Sequence, residues 1–334
     1  MARLLGWEWF KVRRRVMPWI LLAILLLFSQ LALWGPFFAH RNLAREVGPE
    51  VPLPQGTLTV DCRALLAGES VDLPPGLPPA AVERVHEACE QWTVVHEARL
   101  ERLRAHFVLP SSLLHVLTVA QSVGLFLIAI FAASTVGTEY DWGTLRAVLL
   151  AGSGRRPLLA AKMLLLALLA AAALVVALAL TVPASALAGS LAGPGEIAAS
   201  VGWGEALLYL GRMWLALLPY LALAAAVSVA TTSAAAGIGI TLAYHFAEAI
   251  VVAIMITLFD WFQTVADYLL GRSVTAWVLA GQPEGMRLAT VMLGPGEYPG
   301  GLHALAVMLG YGALFCCLAL WLFKRQDIKG AGGG

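Results

Sequence analysis

Six apolar runs, each about twenty residues or longer, constrain this chain more than any other feature. They cover roughly 17–38, 112–134, 157–182, 205–230, 234–259 and 302–323. As a helix, about 20 residues rise about 30 Å, the thickness of the hydrocarbon layer of a bilayer. Backbone in lipid must satisfy its hydrogen bonds within its own segment, so each run is expected to be a helix. Composition agrees: 60% of residues are hydrophobic and only 13% are charged, against roughly 25% charged in soluble domains. The fold expected is an all-α polytopic membrane protein. A net charge of +1 gives no surplus for nucleic acid, and no nucleic-acid partner is expected.

Where the basic residues fall fixes the expected orientation. Arg13, Arg14 and Arg15 precede the first run, and Lys324, Arg325 and Lys329 follow the last. Arg146, Arg155, Arg156 and Lys162 surround the gap between the second and third. With six spans all of these share one side, which the positive-inside tendency makes cytoplasmic. The expected location is therefore the plasma (inner) membrane, with both termini in the cytoplasm. Residues 1–39 combine an interfacial helix, carrying Trp7, Trp9 and Phe10 beside Lys11, with span 1. The run from Met17 to Phe38 is long for a cleaved leader and is expected to stay as a signal anchor.

Residues 40–111 change character and form a small extracytoplasmic domain between spans 1 and 2. It is acidic and carries the stretch Leu73-Pro74-Pro75-Gly76-Leu77-Pro78-Pro79. Beyond Ala80, Val82, Val85, Cys89, Trp92, His96, Leu100, Leu103 and Phe107 make one stripe, which predicts a helix over about 80–108. Cys62 and Cys89 both lie in this domain. An oxidising compartment would join them as a disulfide; otherwise they are two buried thiols. Cys316 and Cys317 lie inside the last run and are expected to pack. His86 and Glu90 stand four apart, a spacing open to a metal, but a solvated charged face is the preferred reading and no metal is assigned.

Span 2 and its end occupy 112–136, spans 3–5 occupy 157–259, and span 6 with a cytoplasmic tail occupies 302–334. The third span is expected to stop at Pro183. Residues 260–301 mix Asp260, Asp267, Arg272, Trp277 and Tyr298 with glycine and proline, which suggests short interfacial or re-entrant helices on the outer side. Within the fifth run, Tyr244-His245-Phe246-Ala247-Glu248 places His245 and Glu248 on one helix face at membrane depth. Ionisable groups there are costly. They mark a substrate path, with Arg212 as an available partner for Glu248, or they are paired groups that fix packing.

The cytosolic stretch at 137–156 is polar between two apolar runs. Thr138 and Asp141 have the spacing of a capping box. Trp142, Leu145, Val148 and Leu149 recur at helical spacing, and Gly152-Ser153-Gly154 supplies a stop. A short amphipathic helix over 138–151 is expected. Glu139, Gly143-Thr144-Leu145-Arg146, Leu149-Leu150, Ser153, Arg155 and Lys162 resemble the first cytosolic loop of the ABC-2 type permeases, the membrane subunits of one class of ATP-binding-cassette transporter. Ala151-Gly152 stand where that family often has a proline, and the 40–111 domain is larger than in its simplest members. The ending Phe323-Lys324-Arg325-Gln326-Asp327-Ile328 is also similar.

The resemblance implies an ABC transporter permease, an exporter by that likeness, and not itself an enzyme. It implies that 137–156 is a coupling helix seated on a separate ATP-binding-cassette ATPase. Trp142 and Leu145 would fill an apolar cleft, Glu139, Asp141 and Arg146 would contact its rim, and Gly143 and Thr144 complete the motif. A second permease copy, giving a homodimer, and the lipid bilayer are the other implied partners. The chain contains no G-x-x-x-x-G-K-[ST] phosphate loop. No cofactor is therefore expected on it, and ATP with magnesium is expected on the partner subunit. Two other classes use His245 and Glu248 instead: a membrane-embedded enzyme, or an ion-coupled carrier working without ATP.

Overall fold

The structure, a computed structural model, describes residues 2–53, 56–68, 71, 77–141, 154–193, 202–282 and 297–325. Among them are eleven helices and one two-stranded sheet. Helix α1 is Ala2–Arg14 and α2 is Val16–Leu43, with a break at Arg15. Strands β1 (Glu50–Leu53) and β2 (Gly56–Thr59) follow, then α3 (Cys62–Leu66) and α4 (Pro79–Phe107). The remaining helices are α5 (Ser111–Asp141), α6 (Arg155–Ala192), α7 (Trp203–Thr231), α8 (Ala234–Leu258), α9 (Phe262–Ala266), α10 (Leu270–Leu279) and α11 (Gly301–Arg325). Six of these, α2, α5, α6, α7, α8 and α11, are long and apolar enough to cross a membrane. The chain is thus an all-α polytopic membrane protein in its architecture, with a small hairpin added.

Two compact units divide the chain. One comprises residues 1–30, 116–180 and 202–334; the other comprises 31–115 and 181–201. In the second unit, β1 and β2 pair antiparallel with Glu50 opposite Thr59. Asp61 caps α3 by accepting from the backbone N–H of Arg63 and Ala64. Helix α4 lays Val85 and Cys89 on Val51, Val60 and Cys62 to make a small core. Cys62 and Cys89 are bonded as a disulfide within it. The hairpin was not anticipated: its strands are four residues each, too short to show a periodic pattern. Pro183 does not end the third span, because α6 runs on to Ala192. A proline costs one helical hydrogen bond, which membrane helices tolerate when neighbours resatisfy the freed groups. The Ser185 hydroxyl bonds the Phe107 carbonyl at 2.6 Å and the Ser112 hydroxyl at 2.8 Å in this region.

In the first unit α7 is the central helix. Two-thirds of its apolar window is buried (67%), against 11% for α11 and 17% for α8. Its buried face is built of small residues, Ala216, Ala222, Ala224, Ala225, Ala226 and Ser228, which let neighbouring backbones come close. The approach is tightest at one end. A Cβ on Gly237 would lie 1.9 Å from Ser228 Oγ, and one on Gly137 would lie 2.4 Å from Ala234 Cα. Thr232, at φ 53, makes the left-handed turn between α7 and α8, and Ser233 caps α8 by accepting from Ala236 N–H. Helix α11 packs along α7, and short α10 packs against α7, α8 and α11.

Candidate functional site

Helices α5 and α6 are the two stems that lead into and out of residues 142–153. Trp142, Gly143, Thr144, Leu145 and Arg146 lie outside the described residues, as do the tail residues Gln326, Asp327 and Ile328. Residues 137–141 do not begin a new helix: they are the last turn of α5. Thr138 is therefore not a cap. Its hydroxyl donates to the Ser134 carbonyl at 2.7 Å, one turn back within the same helix. Apolar periodicity runs unbroken through Val136, and nothing local stops the helix before Asp141.

The stems are joined by a closed ring of alternating charge. Lys11 Nζ lies 3.0 Å from Glu8 Oε1 and 2.9 Å from Glu139 Oε1. Lys162 Nζ lies 2.6 Å from Glu8 Oε2 and 2.8 Å from Glu139 Oε1. Each ammonium bridges both carboxylates, so the ring is neutral. Glu8, Glu139 and Lys162 are 1%, 3% and 3% exposed. Charges this buried survive only when paired and hydrogen-bonded. Burial alone would depress the Lys11 ammonium, but Glu139 and Glu8 outweigh it and hold its pKa above the usual lysine value. Glu139, expected from the family likeness as a rim contact, is buried in this ring. Its carboxylate is turned inward and committed to two lysines.

Further bonds brace the same end. Arg15 Nη1 donates to Thr138 Oγ1 at 3.2 Å, and Arg155 Nη1 donates to the Lys324 carbonyl at 3.2 Å. The Tyr140 ring stands edge-on to Phe323. Four helices, α1, α5, α6 and α11, thus meet at the base of 142–153. Sequence reasoning had Glu139 and Lys162 as motif residues and Lys11 as part of a basic segment, but it missed Glu8. The available signal was a single acid, three residues before Lys11, inside an otherwise aromatic and basic helix.

The mid-span constellation separates into distinct contacts. Glu248 Oε1 accepts from Gly271 N–H at 2.5 Å and from Arg272 N–H at 3.1 Å. Those amides open α10, whose own preceding residue, Leu269, offers no side-chain cap. Glu248 therefore caps a second helix from across the packing interface, at the end where the dipole favours a carboxylate. Gly271 permits this approach, since a Cβ there would meet Glu248 Oε1 at 2.9 Å. His245 lies next to Glu248 on the helix but bonds elsewhere, through Nδ1 to the Tyr220 hydroxyl at 3.1 Å. Arg212 does not pair with Glu248. Its guanidinium lies 4.3 Å over the Trp277 ring and donates to the Trp277 carbonyl, while Trp277 Nε1 donates to the Arg212 carbonyl at 3.1 Å. The aromatic face attracts the cation through its ring quadrupole. Three residues proposed as one path thus serve three separate contacts.

Among the described residues of 260–300 are two short helices, α9 and α10. Arg272 is buried there, donating through Nε to Asp267 Oδ1 at 3.2 Å and lying over the Tyr298 ring. Gln282 Nε2 donates to Tyr209 and Thr118 hydroxyls at 3.1 Å and 3.2 Å, tying this segment to α7 and α5. In the other unit, His96 stacks on Trp92. Among the described residues no group of three or more His, Cys, Asp or Glu is placed to hold a metal ion.

Residues 105–248 match a family described as ABC-2 family transporter protein. The match begins at the end of α4 and runs through α5, α6 and α7 to Glu248 in α8, so it includes both stems and the segment between them. No curated protein and no solved structure matches the chain.

Proposed function

We infer, from the match of residues 105–248 to the ABC-2 transporter family, that the chain is a permease subunit driven by a separate ATP-binding-cassette ATPase, and that it exports its cargo. Residues 138–151 dock on the ATPase, with Trp142 and Leu145 in an apolar cleft and Asp141 and Arg146 at its rim. Trp and Arg are the side chains that most often anchor such contacts. The chain itself hydrolyses no ATP; the nucleotide and its magnesium sit on the partner. Two copies of the permease present two docking segments to two ATPase subunits in the inner membrane, with both termini in the cytoplasm.

The observation that carries this reading is the charged ring at the base of the docking segment. A segment on two independent stems would bend when pushed. Here the stems share buried Glu139 and Lys162, and both are locked to α1 through Glu8 and Lys11. A push on 142–153 is thereby delivered to the spans as a body, the kind of rigid-element motion that alternating access needs. Glu248, by contrast, is committed to the N-terminus of α10, which weighs against a carrier or a membrane enzyme built on His245 and Glu248.

The test is a Trp142→Ala, Arg146→Ala double variant. It should co-purify with less ATPase subunit and lose substrate-stimulated ATP hydrolysis, while expression and detergent melting stay unchanged. Unaltered coupling in that variant rejects the docking assignment. Uptake into inverted vesicles on adding ATP is the expected direction for an exporter; efflux from them would reverse it.

A further inference from the structure

We propose that a groove between α1–α2 and α5–α6 holds one acyl chain of a membrane phospholipid, with its anionic headgroup at Arg13 and Arg14. The groove has a volume of about 230 Å³. It is lined by apolar side chains of α2, α5 and α6, such as Phe131 and Ala173, with Gly124 and Leu217. Trp9, Arg13 and Trp19 also line it, from the end of α1 and the start of α2. All these residues lie in one compact unit.

Three features select the occupant. The walls belong to membrane-spanning helices, so the medium outside is lipid rather than water. Apart from Arg13, the lining is apolar or aromatic throughout, which suits a hydrocarbon chain. The polar end carries positive charge. Neither Arg13 nor Arg14 pairs with a carboxylate among the described residues. Both side chains are exposed, and both guanidiniums lie over the Phe10 ring. A guanidinium presents a planar fork of donors that matches a phosphate. Trp19 Nε1 donates to the Arg13 carbonyl at 3.1 Å, which pins an indole at the level where headgroups meet hydrocarbon.

The occupant also has a structural consequence. Helix α1 contributes Glu8 and Lys11 to the charged ring and Trp9 and Arg13 to the groove. A bound lipid therefore presses on the same helix that braces the docking segment, which links local lipid composition to the stems. The site itself does not depend on whether the chain transports anything.

The experiment uses the full chain in nanodiscs of equal phosphatidylglycerol and phosphatidylcholine. After detergent extraction, lipid retained per protein is counted by native mass spectrometry. Wild type should retain phosphatidylglycerol at least fivefold over phosphatidylcholine. Arg13→Ala with Arg14→Ala should abolish that preference, and Ala173→Phe, which fills the groove, should cut total retained lipid at least fivefold. Equal retention of the two lipids by wild type, or full retention by Ala173→Phe, overturns the site. So does a non-lipid compound retained in its place. A photoactivatable phosphatidylglycerol on wild-type protein adds a readout free of folding effects: adducts on peptides containing Trp9, Trp19 or Phe131 are expected, and adducts only elsewhere overturn it.

Discussion

Glu139 shows how one residue changes meaning once its surroundings are known. In the sequence it is an acid in a polar loop motif, suited to meeting another protein. In the fold it is 3% exposed and touches Lys11 and Lys162. Removing one partner of a buried ion pair strands the other, at a cost of about 3–5 kcal/mol. Lys162→Met should therefore destabilise by about that amount, read as a large drop in the thermal midpoint in detergent. Glu139→Gln combined with Lys162→Met should lose less than the sum of the single changes, because the double variant leaves fewer stranded charges. Strict additivity in that cycle would mean the two groups do not interact. Arg212 teaches the same lesson in reverse: among the described residues no acid pairs with it, and an indole face takes the guanidinium.

At the scale of elements, the relation between α8 and α10 decides what Glu248 is for. The carboxylate satisfies two amides that α10 cannot satisfy itself. A lost cap costs about 0.5–2 kcal/mol. Glu248→Gln keeps an acceptor oxygen and should retain transport and most stability, whereas Glu248→Ala should lower stability by about 1 kcal/mol or more and loosen α10. Hydrogen exchange at Gly271 and Arg272 amides distinguishes them: fast exchange is expected only in the alanine variant. Loss of transport in Glu248→Gln at normal stability would instead restore the substrate-path reading. The starts of the six spans were legible to within about two residues, because length and apolarity are local properties, but the first three helices run on past their expected ends, the third as far as Ala192. The cap was not, because it joins residues 23 and 24 positions apart in two different helices.

For the whole molecule the question is which side is which. The Cys62–Cys89 disulfide lies in the segment expected outside, and its 27-residue separation corresponds to about 3–4 kcal/mol in the chain-entropy account. Cys62→Ser with Cys89→Ser should lower the stability of that unit by about this much. In intact cells, an impermeant maleimide should label a Glu87→Cys variant, at an exposed position of the same unit. Labelling only after the membrane is opened would invert the topology and move 142–153 to the wrong side for an ATPase.

The sequence by itself determined the six helices long and apolar enough to cross a membrane, and the charge bias from which an orientation is expected. Each of these rests on runs of neighbouring residues, whose length, apolarity and charge act locally. Only the tertiary structure decided that Glu139 faces inward, that Glu8 belongs to the site, and that Glu248 holds a helix end. Lys11 reaches Glu139 across 128 positions, and Lys162 reaches Glu8 across 154. Burial fixes the partner of a charge, and such distant pairings leave no periodic trace along the chain.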